Sequence, residues 1–161
     1  MTSIKIRFEK LPMSIEEFIS LSNLESPQDT AALFIVAMAT YVIDKDLGID
    51  MINHLKGPEP LNDYGLQFLR NSLMDKPYLP YSYFDGSNPQ NNYEPTMPLV
   101  VKLQYDTCVP EEGYEKLLIQ SSGTNNMRSI ILRKKGSQFF LWEYGGLLSE
   151  IKIPIKESKW I

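Results

Sequence analysis

Among 161 residues the chain has one histidine, one cysteine and nine glycines, and each scarcity removes a class of chemistry. With Cys108 alone, an intramolecular disulfide is impossible, and a cysteine-based zinc or redox pair has no second ligand. A reducing compartment fits. His54 alone is a poor foundation for acid-base or nucleophilic catalysis, and no serine sits in a G-x-S-x-G setting. Glycine is too thinly spread for a phosphate cradle, and neither Walker A nor G-x-G-x-x-G occurs. No window approaches the ~18 uncharged apolar residues that a membrane span needs. The opening MTSIKIRFEK has charges where a signal peptide would have an apolar run. These absences describe a cytoplasmic protein with no metal or redox cofactor.

What is present reads as one α+β domain over residues 1–161, long enough to bury roughly 70% of the surface its unfolded chain exposes. Charge is mildly acidic but uneven. Residues 1–75 carry 6 Lys/Arg against 11 Asp/Glu, and residues 76–161 carry 10 against 9. Nucleic acid is a poor partner for so little clustered positive charge; the one exception, Arg128 with Arg133, Lys134 and Lys135, reads as a solvated hairpin end.

Helical signals fill a segment from about 13 to 75. Ser14-x-x-Glu17 is a capping box, and Ser26-Pro27-Gln28-Asp29 combines an N-cap, a proline in the first turn and an acid at the positive end of the dipole. The nearly uncharged run from Thr30 to Ile43 then predicts a central helix buried on all sides. Two further helices are expected, Asp46 to Lys56 and Asn62 to about Met74, the first stopped by Gly57-Pro58. Asp44, Asp46 and Asp50 superficially suggest calcium ligands, but their spacing around Gly48 does not make a binding loop.

Period-2 alternation marks a short strand at Ile4, Ile6 and Phe8 and a β part over 99–155: Leu99 to Tyr105, Lys116 to Gln120, Ser129 to Lys134, Gln138 to Tyr144 and Glu150 to Ile155. Helices followed by strands predict N-terminal helices packed on a C-terminal antiparallel sheet. The strand after Gly136 is apolar on both sides, with Phe140, Trp142 and Tyr144 expected on one face and Phe139 and Leu141 on the other, which reads as a central strand. By element order alone the arrangement resembles the cone-shaped folds of the nuclear-transport-factor-2 type, which host enzymes and binding proteins alike.

Between the two halves, residues 76–98 hold five of the chain's 11 prolines and four of its nine tyrosines with no evident secondary structure. Loops of this length inside a domain tend to be functional. Tyr78, Tyr81, Tyr83, Phe84 and Tyr93 are therefore the candidate binding residues, for a protein or peptide partner. If they form a recognition surface, at least two of the four tyrosines should be partly exposed; if the loop is a cover over the core, all should be buried. The preferred reading is a non-enzymatic interaction or ligand-binding domain. The alternative is a small enzyme with a pocket between helices and sheet, using His54 or a buried carboxylate as acid or base, and a closed polar pocket at such a group would distinguish it from a dry interior.

Leu55-Lys56-Gly57-Pro58, the run from Ser82 to Tyr93, Glu112-Gly113-Tyr114, and Leu132 to Gly136 leading into Leu141-Trp142-Glu143 resemble an uncharacterised family of small Gram-positive bacterial proteins. The resemblance covers most of the chain. It implies a bacterial cytosolic setting and brings no activity or site residues with it.

Overall fold

Four helix starts are set by polar side chains that take up otherwise unpaired backbone donors. In a computed structural model describing residues 3–108 and 111–160, the N–H of Glu17 donates to Ser14 Oγ at 3.1 Å, opening α1, Ile15–Leu21. Asp29 N–H reaches Ser26 Oγ at 3.4 Å to open α2, Pro27–Tyr41. Asp44 caps α3, Lys45–Lys56, and Asn62 caps α4, Asp63–Leu73. The acid that resembled a calcium ligand is thus a helix cap. Gly48 has its own reason, since a Cβ there would lie 2.4 Å from the Tyr41 Cα: it lets α3 pack closely on α2.

Every residue of α2 from Thr30 to Tyr41 is buried, as its uncharged run requires. The helix lies against a curled five-stranded antiparallel sheet, β1 Ile4–Phe8, β2 Leu99–Tyr105, β3 Tyr114–Ile119, β4 Arg128–Lys135 and β5 Gln138–Glu143, in the spatial order β1-β2-β3-β4-β5. Val101, Leu103, Leu117, Ile119, Ile130, Leu132 and Leu141 are buried on the face toward α2. The expected layering, helices on an antiparallel sheet, is what forms.

The sheet differs from the expectation in three places. First, β5 is an edge strand, not a central one. Its two-sided apolarity comes from chain wrapped over the edge: Phe139 N–H donates to Leu24 O at 2.6 Å, Thr30 Oγ1 donates to Phe139 O at 3.0 Å, and Gly57 rests on the Phe140 ring. Second, a β-bulge interrupts the β4–β5 ladder, where Leu132 pairs with Leu141 but Ile131 pairs with Glu143. The extra residue, Trp142, moves Glu143 to the face of Phe140 and turns Tyr144 inward against Phe34, ring centroids 4.9 Å apart. Phe140 and Tyr144 therefore do not share a face. Third, Glu150 to Ile155 is not a strand. A 3-10 turn over Gly145–Leu148 drives Leu147 and Leu148 into the core and carries the chain away from the sheet.

Candidate functional site

The Tyr/Pro segment is less open than its composition suggests. It contains two 3-10 turns, Leu79–Tyr83 and Pro89–Asn91, so the expectation of no regular structure does not hold. Tyr83, Phe84 and Tyr93 are 1%, 2% and 2% exposed. Their polar ends are spent internally: Tyr83 Oη donates to Leu147 O at 2.5 Å and Tyr93 Oη to Lys152 O at 2.5 Å. Burial pushes the Tyr83 phenol up to about 12, held back in part by Arg128. Arg128 is no solvated hairpin cation; its guanidinium donates to Tyr83 Oη, Ser149 O and Glu150 O, clamping the segment after β5. Only Tyr78, stacked on Tyr93 at 5.5 Å, and Tyr81, edge-on to Phe84 at 5.8 Å, remain half-buried with surface to offer.

A larger candidate lies on the outer face of the β4–β5 hairpin. Gly57 ends α3 at φ +65°, a conformation that favours glycine, and a Cβ there would stand 2.4 Å from the Phe140 ring. Glycine thus allows the α3–α4 connection to pass over the edge of the sheet. Between that connection, the start of α4 and the outer side of β4 and β5 runs a cleft of about 730 Å³. Lys56, Leu61 and Phe68 form one wall, Ile131 and Trp142 the other, and Gly145-Gly146 the end. A second hollow of about 300 Å³ adjoins it, sharing Lys56, Glu59 and Trp142 and extending over Phe140 to Arg133, Lys134 and Lys135. Each lies in the size range of small-molecule sites.

Side chains in this cleft are organised around cations on rings. The Arg133 guanidinium lies 4.4 Å from the Trp142 ring centroid and 5.6 Å from that of Tyr114, its cross-strand neighbour. Lys56 Nζ sits 5.5 Å over Tyr144. Burial holds the Lys56 amine below its ordinary value, with Glu59 pulling the other way, and burial raises the Tyr144 phenol. Tyr64, 80% exposed, stands at the rim. None of these residues is singled out as a site by the sequence alone. One signal is there: a strand apolar on both faces, carrying a tryptophan and preceded by three consecutive cations, has more ring surface than one core can cover.

His54 lies elsewhere, on the side of α3 that meets α1. Its Nε2 is 3.1 Å from Ser22 Oγ and its ring meets Phe18 edge-on at 6.1 Å. Ser22 has one hydroxyl proton, which it donates to Ile19 O at 2.7 Å, so Nε2 is the donor in the Ser22–His54 contact and does not serve as base to that serine. Burial lowers the His54 pKa. Among the described residues no Asp or Glu is buried, and no three His, Cys, Asp or Glu side chains converge as a metal site would require. Cys108 is exposed and free. No described helix is long and apolar enough to cross a membrane.

Neither a curated protein nor a solved structure matches the chain. A match over residues 10–155 spans all four helices, the loop and the hairpin that forms the cleft: the chain belongs to a family described as a domain of unknown function (DUF6935).

Proposed function

We propose that the protein is a non-enzymatic binding domain of the bacterial cytosol and that the outer cleft between the α3–α4 connection and β4–β5 is its ligand site. The observation that carries this reading is a cleft of about 730 Å³ walled by rings and aliphatic side chains, beside a sheet whose other face is filled. On the inner side α2 fills the concavity and the buried polar side chains are hydroxyls, each with a hydrogen-bond partner. Among the described residues no carboxylate is buried, so no such acid or base lies beneath the sheet, which is where the cone-shaped analogy would put a pocket. The exposed, unpaired Cys108 suits a reducing compartment. Tyr78 and Tyr81 are a smaller secondary surface.

A fragment library followed by backbone and indole NMR shifts tests the assignment. Fragments should shift the Trp142 indole and the Gly145 and Gly146 amides together. Shifts confined to Tyr78 and Tyr81, or scattered over the surface, would refute the cleft as the site.

A further inference from the structure

The smaller hollow beside the cleft has a charge pattern that narrows the ligand, and that narrowing rests on the cleft and this hollow being the binding site; the larger part is lined by Lys56 with Glu59 and Glu143. Lys56, Arg133, Lys134 and Lys135 line the second hollow against a single acid, Glu59, in a chain of formal net charge −4. Ion pairs among the described residues join Arg7 to Glu9, Lys10 to Glu17, Lys76 to Glu150, Lys102 to Asp85 and Lys116 to Asp106; the four cations of the hollow take part in none. Arg133 is held by ring contacts on Trp142 and Tyr114, which leave its N–H fork without a carboxylate among the described residues. The floor below is apolar, formed by Phe140 and Trp142.

We propose that this hollow takes an acidic peptide segment, one apolar side chain lying over Phe140 and Trp142 and its carboxylates meeting Arg133, Lys135 and Lys56. A lone phosphate group would need donors converging on one point. Here Lys134 and Lys135 are successive strand residues whose side chains leave on opposite faces, so the cations spread over the hairpin as the charges of a peptide do.

The test uses the full chain carrying Trp160→Phe, which leaves Trp142 as the remaining tryptophan and therefore a fluorescent reporter in the cleft. It is screened against a random displayed dodecapeptide library, and a synthetic copy of an enriched sequence is then titrated. Enriched peptides should be net negative with a large apolar residue, quench or enhance Trp142, and bind at least about tenfold more weakly to the Arg133→Glu, Lys135→Glu double variant. Lys5→Glu, on the opposite edge strand, should leave affinity unchanged. Both charge-reversal sites are exposed, and an unaltered melting temperature shows that the variants fold. Enrichment of neutral or basic peptides that still depend on Trp142 overturns the acidic-peptide inference and leaves the cleft reading standing. Peptides indifferent to both Trp142→Ala and the charge reversal overturn both. Displacement of the peptide by stoichiometric inorganic phosphate or a mononucleotide would reassign the hollow to a small anion.

Discussion

Two clusters in this molecule have nearly the same ingredients and opposite fates. One joins Tyr83 and Tyr93 with Arg128; the other joins Tyr114 and Trp142 with Arg133. In the first, both phenols and the guanidinium end on backbone carbonyls of the segment after β5, so the polar groups are consumed in holding the fold closed. In the second the guanidinium lies on ring faces, no carboxylate among the described residues pairs with it, and each ring borders open volume, Trp142 the hollow over Phe140 and Tyr114 a shallower one beside Ile131. Composition alone does not separate a staple from a site. What separates them is whether the polar ends already have partners.

The largest expected contrast is in stability. Tyr83 is almost wholly buried, so Tyr83→Ala should cost ~3–5 kcal/mol through a cavity and a lost hydrogen bond. Trp142 is only half-buried, and Trp142→Ala should cost ~1–2 kcal/mol while abolishing ligand-induced fluorescence change. Chemical denaturation of the two variants measures both. Equal losses would erase the distinction between staple and site.

Alkaline titration sharpens the same contrast. Tyr83 has its folded pKa raised from an ordinary 10.0 to about 12, so the stability associated with its neutral phenol is fully present below pH 10 and is lost as pH rises toward 12. That loss amounts to about 2–3 kcal/mol in the parent protein. In Tyr83→Phe the contribution should vanish, at a cost near neutral pH of about 1 kcal/mol for the missing bond to Leu147 O. Denaturant midpoints from pH 9 to 11 follow it, and parallel pH curves for the two proteins would contradict the buried-phenol account.

The two arginines offer a third comparison. Replacing Arg128 by Met removes charge-assisted bonds to two carbonyls and should cost about 2 kcal/mol. Arg133→Met should stay within ~0.5 kcal/mol of the parent, because the residue is exposed and its ring contacts are partly replaced by the thioether. Binding should respond in the reverse order. An Arg133 variant that unfolds while the Arg128 variant does not would invert the assignment.

Much of the architecture is legible locally. Caps at Ser14 and Ser26, the uncharged α2 run and the period-2 segments that become β1 to β5 each act within a few residues and form, though Glu17 Oε2 accepts from the Met13 N–H and not from that of Ser14, as a capping box would have it. Sequence and structure part where a distant segment decides the outcome. The pattern Ile151, Ile153 suggests a strand face, yet Ile151 is 7% exposed and Ile153 52%, because the preceding 3-10 turn redirects the chain. β5 carries two apolar faces because α2 covers one and the Gly57 connection the other. The cleft is hidden for the same reason: residues 56–68 and 129–146 line it together through a helix stop at Gly57 and a bulge at Trp142. In the Tyr/Pro loop the tyrosines are legible, but whether each hydroxyl meets water or a carbonyl is not.

The smallest expected effect concerns His54, which belongs to neither cluster. Burial lowers its folded pKa below the ordinary 6.5, so the protein binds fewer protons there than its unfolded chain does. The associated stability is present above pH 6.5 and is lost as the pH falls through the folded pKa. His54→Gln retains a side-chain donor within reach of Ser22 Oγ without titrating. Between pH 7 and 5 the parent should therefore lose slightly more stability than this variant, and the loss should be modest because the ring is only partly buried. Asp106 and Glu150, whose carboxyls are held below their usual range by hydrogen bonds and nearby lysines, titrate equally in both proteins and cancel in the difference. Affinity for a peptide in the cleft should not follow this titration, since His54 faces α1 and borders neither hollow. A binding curve that fell with the His54 proton in the parent and stayed level in His54→Gln would tie the histidine to the site and restore the acid-base alternative.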